Sequence, residues 1–321
     1  MNVYLTFDIE VWCNGWDNLD GAFPASFERY VFGRSRHGDF ALPKTLELLN
    51  RHGLKGVFFV EPLFAARFGI KYLSIIVELI RSAGQDVQLH LHPEWTNEAL
   101  EPLIENCGTK RQHLTYYTLN EQTTLIAHGM RLLEAAGAER PTVFRSGSFA
   151  ANHETFVALH QNGIFLDTSL NRCHAISGPE ILDASDNRSA LVVSGVTTYP
   201  VTIIKDGFGK DRPAQVGACG YAELSGAMLE ANKSGMRDFV IVSHNFEMLR
   251  PGKSQPDWVV VQRFSRLCQF LAQHADSMIV RGFGDTLAAA REQTPIVIAQ
   301  PHASFGATAW RHVEQLSRRL H

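Results

Sequence analysis

Cysteine is scarce and unpaired in this chain: Cys13, Cys107, Cys173, Cys219 and Cys268 are the 5 among 321 residues, and no two fall at a Cys-x-x-Cys spacing. An odd, scattered set makes no disulfide framework and fits a reducing compartment. Long apolar runs are missing too, so nothing in the sequence spans a bilayer as a helix. The opening residues, Met1 to Thr6, lack the basic segment of a secretory leader, which leads to the expectation of a cytoplasmic protein. Charge of one sign is lacking as well. The formal net charge is -3 and the sequence pI about 6.5, and short basic stretches such as Arg34-Ser35-Arg36-His37 and Arg318-Arg319 read as solvated surface, so nucleic acid and anionic membrane are disfavoured as partners. The glycines of residues 207–220 are not followed by the Lys-Ser or Lys-Thr of a phosphate loop, and the stretch reads as a rim loop.

With 45% hydrophobic and 20% charged residues the chain can bury a full core as one large α/β domain. Residues 56–60 form an unbroken apolar strand suited to burial on both faces. Helical spacing marks residues 42–52, 72–83, 119–136 (with Asn120 as a fair N-cap), 152–161, 221–234 and 256–274. Residues 191–204 are β-rich, residues 277–280 make a late strand, and residues 285–291 begin a closing helix. Strand and helix alternate, the mark of an α/β fold. Residues 13–40 form a long aromatic insertion expected to pack on the rim, and amphipathic residues 309–320 lie in a tail that packs outside the barrel or on another subunit.

Chemistry concentrates where strands end. The run Asp86-Val87-Gln88-Leu89-His90-Leu91-His92-Pro93-Glu94-Trp95 breaks from apolar strand into imidazoles at i and i+2 and a carboxylate at i+4, the N and O donors that a catalytic divalent-metal site uses. Strand Val3-Tyr4-Leu5-Thr6-Phe7 ends in Asp8-Ile9-Glu10, whose period-2 geometry aims both carboxylates to one side, one as metal ligand and one as general base. Phe144-Arg145-Ser146-Gly147-Ser148-Phe149 offers a turn whose backbone N–H groups could face an oxyanion, with Arg145 placed to orient a carboxylate. Asp167 is another strand-end acid, and His244 follows the apolar run 239–242 where a proton donor for a leaving group could stand.

In order, Thr6-Phe7-Asp8-Ile9-Glu10, His90-Leu91-His92-Pro93-Glu94-Trp95, Phe144 to Phe149, Asp167-Thr168-Ser169 and Ser243-His244-Asn245-Phe246-Glu247 resemble the five motifs of the polysaccharide deacetylase family, the NodB-homology carbohydrate esterases. The spelling is most similar to the bacterial branch associated with lipopolysaccharide and O-antigen biosynthesis. The resemblance implies a distorted (β/α) barrel over residues 1–292; residues 293–321 lie beyond it and are expected to form a helical C-terminal extension. It also implies a divalent cation, zinc foremost, and hydrolysis of an N-acyl group, foremost N-acetyl, on an amino sugar of a glycan or of a nucleotide-linked or lipid-linked precursor. Asp8 matches the general base, Arg145 the arginine that orients it, and His244 the general acid, while Asp167 falls where an acid supports that histidine. Glu10 stands one position beyond the family's second Asp, so Asp8 and Glu10 could exchange roles. His90 matches the first ligand histidine; the family's second is replaced by Glu94, with His92 as its competitor and Glu94 favoured by position. A hydrolase of a small non-sugar amide, or a catalytically silent assembly protein in glycan synthesis, is the alternative.

Overall fold

The computed structural model describes residues 1–105, 108–174, 181, 190–284 and 300–320. The chain divides into two compact units, one of Met1–Gly56, Ile203–Arg281 and Ile298–His321, the other of Val57–Thr202 and Gly282–Val297.

In the first unit the strand Asn2–Ile9 runs parallel to Asp238–His244, with Asp8 level with His244. Its start also pairs with Ile279–Val280. Val3, Tyr4, Leu5, Phe7 and Ile9 are all buried, as β-prone residues are in a strand covered on both faces. Residues 214–216 line the strand Asp238–His244, Val242 N–H donating to Ala214 O at 2.9 Å. Helices Leu42–Arg51, Tyr221–Lys233 and Trp258–Gln273 fall where helical spacing predicts them. The insertion carries its own helix, Leu19–Phe27, and a small hairpin of Arg34–Ser35 with Gly38–Asp39. Residues 207–220 are not wholly loop: Asp211–Pro213 pairs antiparallel with Ile203–Lys205. Charged, proline-containing Asp211-Arg212-Pro213 carries no alternation to announce a strand.

In the second unit Gly56–Val60, Asp86–Leu91, Val143–Ser146, Leu166–Asp167 and Val196–Thr198 pair in succession, all parallel, and Leu191–Val193 closes the edge as an antiparallel hairpin strand. The β-rich stretch 191–204 thus contributes a hairpin here and one strand to the other unit. Helices Ile70–Ser82, Leu119–Ala135 and His153–Gln161 connect the parallel strands. The cap of Leu119–Ala135 is Thr118, whose hydroxyl accepts from Glu121 N–H while Glu121 takes the Thr118 N–H; Asn120 lies inside the helix. This reciprocal pair satisfies two of the helix's otherwise unmet donors, which a lone asparagine two residues further in cannot.

The expected helix at residues 285–291 lies outside the described residues. Among those described, no helix is long and apolar enough to cross a membrane.

Candidate active site

In the first unit the register that sets Asp8 beside His244 gathers three functional groups at the strands' carboxyl ends. Asp8, Glu10 and His244 each offer a ligand atom, all within 4.8 Å of one another. Asn245 fixes the backbone here: its side-chain amide donates to Glu10 O at 3.1 Å, its Oδ1 accepts from Glu10 N–H at 3.2 Å, and its own N–H donates to Asp8 O. Trp12 Nε1–H donates to Glu10 Oε2 at 2.6 Å, holding that carboxylate in one orientation. His244 Nε2 lies 4.0 Å from Asp8 Oδ2, and its Nδ1 lies 2.9 Å from Glu247 Oε1. Burial works against the imidazolium, but the hydrogen bond that His244 donates to Glu247 and the charges of Glu10, Glu247 and Asp8 outweigh it, raising the pKa of His244 to about 9.

The second unit holds the other expected residues. His90 and His92 are buried, and their rings meet edge to face with centroids 4.8 Å apart. His90 Nδ1 is 2.8 Å from Arg145 O; a carbonyl only accepts, so Nδ1 carries a hydrogen. His92 Nδ1 stands 3.3 Å from Glu94 Oε1, an acceptor for a hydrogen on that nitrogen. The other carboxylate oxygen, Glu94 Oε2, is buried without a hydrogen-bond partner. The turn Pro93–Glu98 that bears Glu94 is pinned by Lys110 Nζ on Glu94 O (2.9 Å) and Tyr117 Oη on Pro93 O (3.1 Å). Gly147 lets the chain pass beneath His92: a Cβ there would come within 2.6 Å of Leu91 O and 2.8 Å of His92 Nδ1.

Arg145 is fully buried, donating from Nε to Thr168 O and from one terminal nitrogen to Thr168 Oγ1, both at 3.3 Å, with its guanidinium 4.4 Å from the Phe59 ring centre. Asp167 accepts from Ser169 N–H (2.8 Å), Ser169 Oγ–H (2.5 Å) and Thr198 Oγ1–H (2.6 Å). Burial raises its pKa against those bonds and the charge of Arg145. Ser148 and Phe149 both take left-handed backbone angles, φ 54° and 56°, a costly turn for residues with side chains and one that re-aims the N–H groups.

Three ionisable groups escaped the sequence reading. Glu247 was in plain view three residues after His244, but nothing in its spacing gave it a role. Glu61 follows the strand Gly56–Val60 directly. Burial pushes its pKa up to about 8, against bonds from Leu63 and Phe64 N–H and the charge of His92. Burial likewise lowers the pKa of His113, which feels the charges of Glu94 and His92 and has no motif around it.

No family model matches the chain, and no curated protein does. Among solved structures it is similar to a "putative polysaccharide deacetylase" from Mycobacterium smegmatis, at TM-score 0.59 and 18% identity over 94% of each chain. The chain has the polysaccharide deacetylase fold, the distorted (β/α) barrel expected from the motif order. More distant likenesses are a family 4 carbohydrate esterase from Streptomyces lividans (TM-score 0.43, 13% identity, 92% of this chain and 98% of that) and a CE4 family pseudoenzyme from Bacillus anthracis (0.42, 13%, 94% and 68%).

Proposed function

We propose that this protein is a metal-dependent hydrolase that removes an N-acyl group, foremost N-acetyl, from an amino sugar. The observation that carries the reading is the register of Asp8 with His244: a carboxylate and an imidazolium side by side at parallel strand ends supply a proton acceptor and a proton donor to one reaction.

The donor chemistry suits a divalent cation. His90 and His92 have their Nδ1 atoms committed to backbone and carboxylate acceptors, which is how ligand histidines are prepared for binding through Nε2, and Glu94 stands behind His92 in the orienting position. This favours His92 over Glu94 as the second imidazole-side ligand, joining His90 and Glu10. When bound, a cation of the zinc type polarises an acyl carbonyl and makes a water more acidic. Asp8 takes the proton of the attacking water. The N–H groups of the Ser148–Phe149 turn face the oxyanion, Arg145 steadies the carboxylate, and His244 gives its Nε2 proton to the departing amine. The reading extends to a cytoplasmic enzyme working on nucleotide-linked or lipid-linked precursors of a lipopolysaccharide or O-antigen glycan.

Acetate release from nucleotide-linked and lipid-linked N-acetyl amino sugars, assayed beside metal content, tests this. Metal-loaded protein should release acetate and lose that activity to a chelator, with recovery on adding zinc. Protein that takes up no divalent metal and releases no acetate overturns the proposal.

A further inference from the structure

The Gly207 to Gly220 stretch has no part in the mechanism as drawn, yet it ends on the catalytic face of the first unit. Gln215 Nε2–H donates to Glu247 Oε1 at 2.6 Å and Gly217 N–H to Glu247 Oε2 at 2.6 Å. Ser243 Oγ–H adds a third bond to Oε2 at 3.1 Å, and His244 Nδ1 a fourth, to Oε1 at 2.9 Å. Glu247 is therefore a carboxylate whose two oxygens are fixed from three directions before it meets the imidazole. A merely solvated acid three residues from a histidine would need none of this. Gly217 fits the same purpose: a Cβ at that position would stand 2.7 Å from Glu247 Oε2, so only glycine allows the backbone to approach the carboxylate this closely.

We infer that Glu247, clamped by the Gln215–Gly217 loop, is the positioning residue that holds His244 as proton donor in the hydrolysis proposed above, on which this inference rests. An ionised carboxylate only accepts, so His244 Nδ1 carries a hydrogen throughout and the transferable proton sits on Nε2, on the side of Asp8. In the step served, the C–N bond of the tetrahedral adduct breaks, and its electron pair goes to the amine nitrogen. Nε2 delivers its proton to that nitrogen while the oxyanion reforms a carbonyl. His244 is left neutral, with Glu247 still bonded to Nδ1–H and fixing the ring for reprotonation. The support expected from Asp167 is supplied from within the motif of His244 itself. Asp167 spends its oxygens on Ser169 and Thr198.

Leaving-group dependence tests the assignment. A phenolate leaves without a proton and a sugar amine does not, so 4-nitrophenyl acetate and the nucleotide-linked or lipid-linked N-acetyl amino sugar that the wild type deacetylates serve as probes with the same acetyl group and different needs. Glu247→Gln should lose about tenfold or more in kcat on the N-acetyl amino sugar and stay within about twofold on the aryl ester, at unchanged KM and metal content. Gly217→Ala should show the same selectivity more weakly, because the added methyl displaces the carboxylate without touching the histidine. His244→Ala should lose about a hundredfold on the amide alone. Equal losses on both probes in Glu247→Gln, or no loss on either, overturn the inference while a selective His244→Ala leaves the hydrolytic reading standing. If His244→Ala itself is unselective, or the wild type releases acetate from no nucleotide-linked or lipid-linked N-acetyl amino sugar, the reading beneath it falls instead.

Discussion

Asp8 and Glu10 are two carboxylates on one strand end, and their surroundings separate them. Glu10 is held at one oxygen by Trp12 Nε1–H, an orienting bond of the kind that prepares a ligand, whereas Asp8 stands in register with the proton donor. Glu10→Gln should therefore abolish metal uptake, while Asp8→Asn keeps metal and loses about a hundredfold or more in turnover. Metal analysis of the two variants decides, and the reverse pattern means that the carboxylates have exchanged roles. Similarly, His90→Ala and His92→Ala should each empty the site, and Glu94→Gln should weaken metal affinity only about 10- to 100-fold through loss of the His92 orienting bond. Metal lost from Glu94→Gln but kept in His92→Ala would make Glu94 the ligand. His244 carries a prediction for the metal-free protein. Its folded pKa, about 9, lies above the ordinary 6.5, so its stabilising contribution is complete below pH 6.5 and disappears as pH rises through 9. Urea denaturation across that window should show a decline in the wild type that is shallower in Glu247→Gln.

At the scale of elements, the strands that bear chemistry were legible because an apolar run stops abruptly at a polar residue, as at Phe7-Asp8, Leu89-His90 and Val242-Ser243-His244. Helices such as Leu119–Ala135 and Trp258–Gln273 were legible from their apolar spacing. What stayed hidden depends on partners far along the chain. Asp211–Pro213 is a strand only because Ile203–Lys205 accepts it, and Glu247 acquires its role from Gln215 and Gly217, some thirty residues earlier. Gly147 belongs to the same class: its need is set by the approach of Leu91 O and His92, not by any turn pattern. Gly147→Ala should destabilise the fold by about 1–3 kcal/mol, the usual cost of forcing atoms into a packed site, and lower metal occupancy with it. Thermal unfolding and metal content, measured together, check this; a variant with wild-type values in both would show that the strand ends can move apart.

On the scale of the molecule, the C-terminal helix Phe305–Leu320 is built into the first unit rather than appended to it. Arg311, 1% exposed, donates to Glu223 and to Asp206, and Thr308 Oγ1–H donates to Glu223 at 2.6 Å. Arg263 pairs with Glu314 and Arg318 with Asp257, both at 2.6 Å. Removing one member of such a buried set leaves a charge without its counter-charge, so Arg311→Met should cost about 3–5 kcal/mol in denaturant unfolding, far more than an exposed pair. The amphipathic pattern of residues 309–320 was readable in the sequence, but which side faces in was not. Periodicity alone would turn the apolar stripe toward the body.

The helix sits the other way about. Arg311 and Arg318 point inward, while Phe305, Trp310, Val313 and Leu316 are each more than half exposed, beside the half-exposed ring of Phe208. The native protein consequently wears oily side chains as an outer coat, held in place by ionic bonds beneath. Such a surface should light up an environment-sensitive dye such as ANS without any unfolding, in a protein whose melting is cooperative. Replacing Val313 and Leu316 with glutamine should dim that glow and leave the melting temperature where it was; dye signal as strong in the double variant as in the wild type would trace to some other part of the surface.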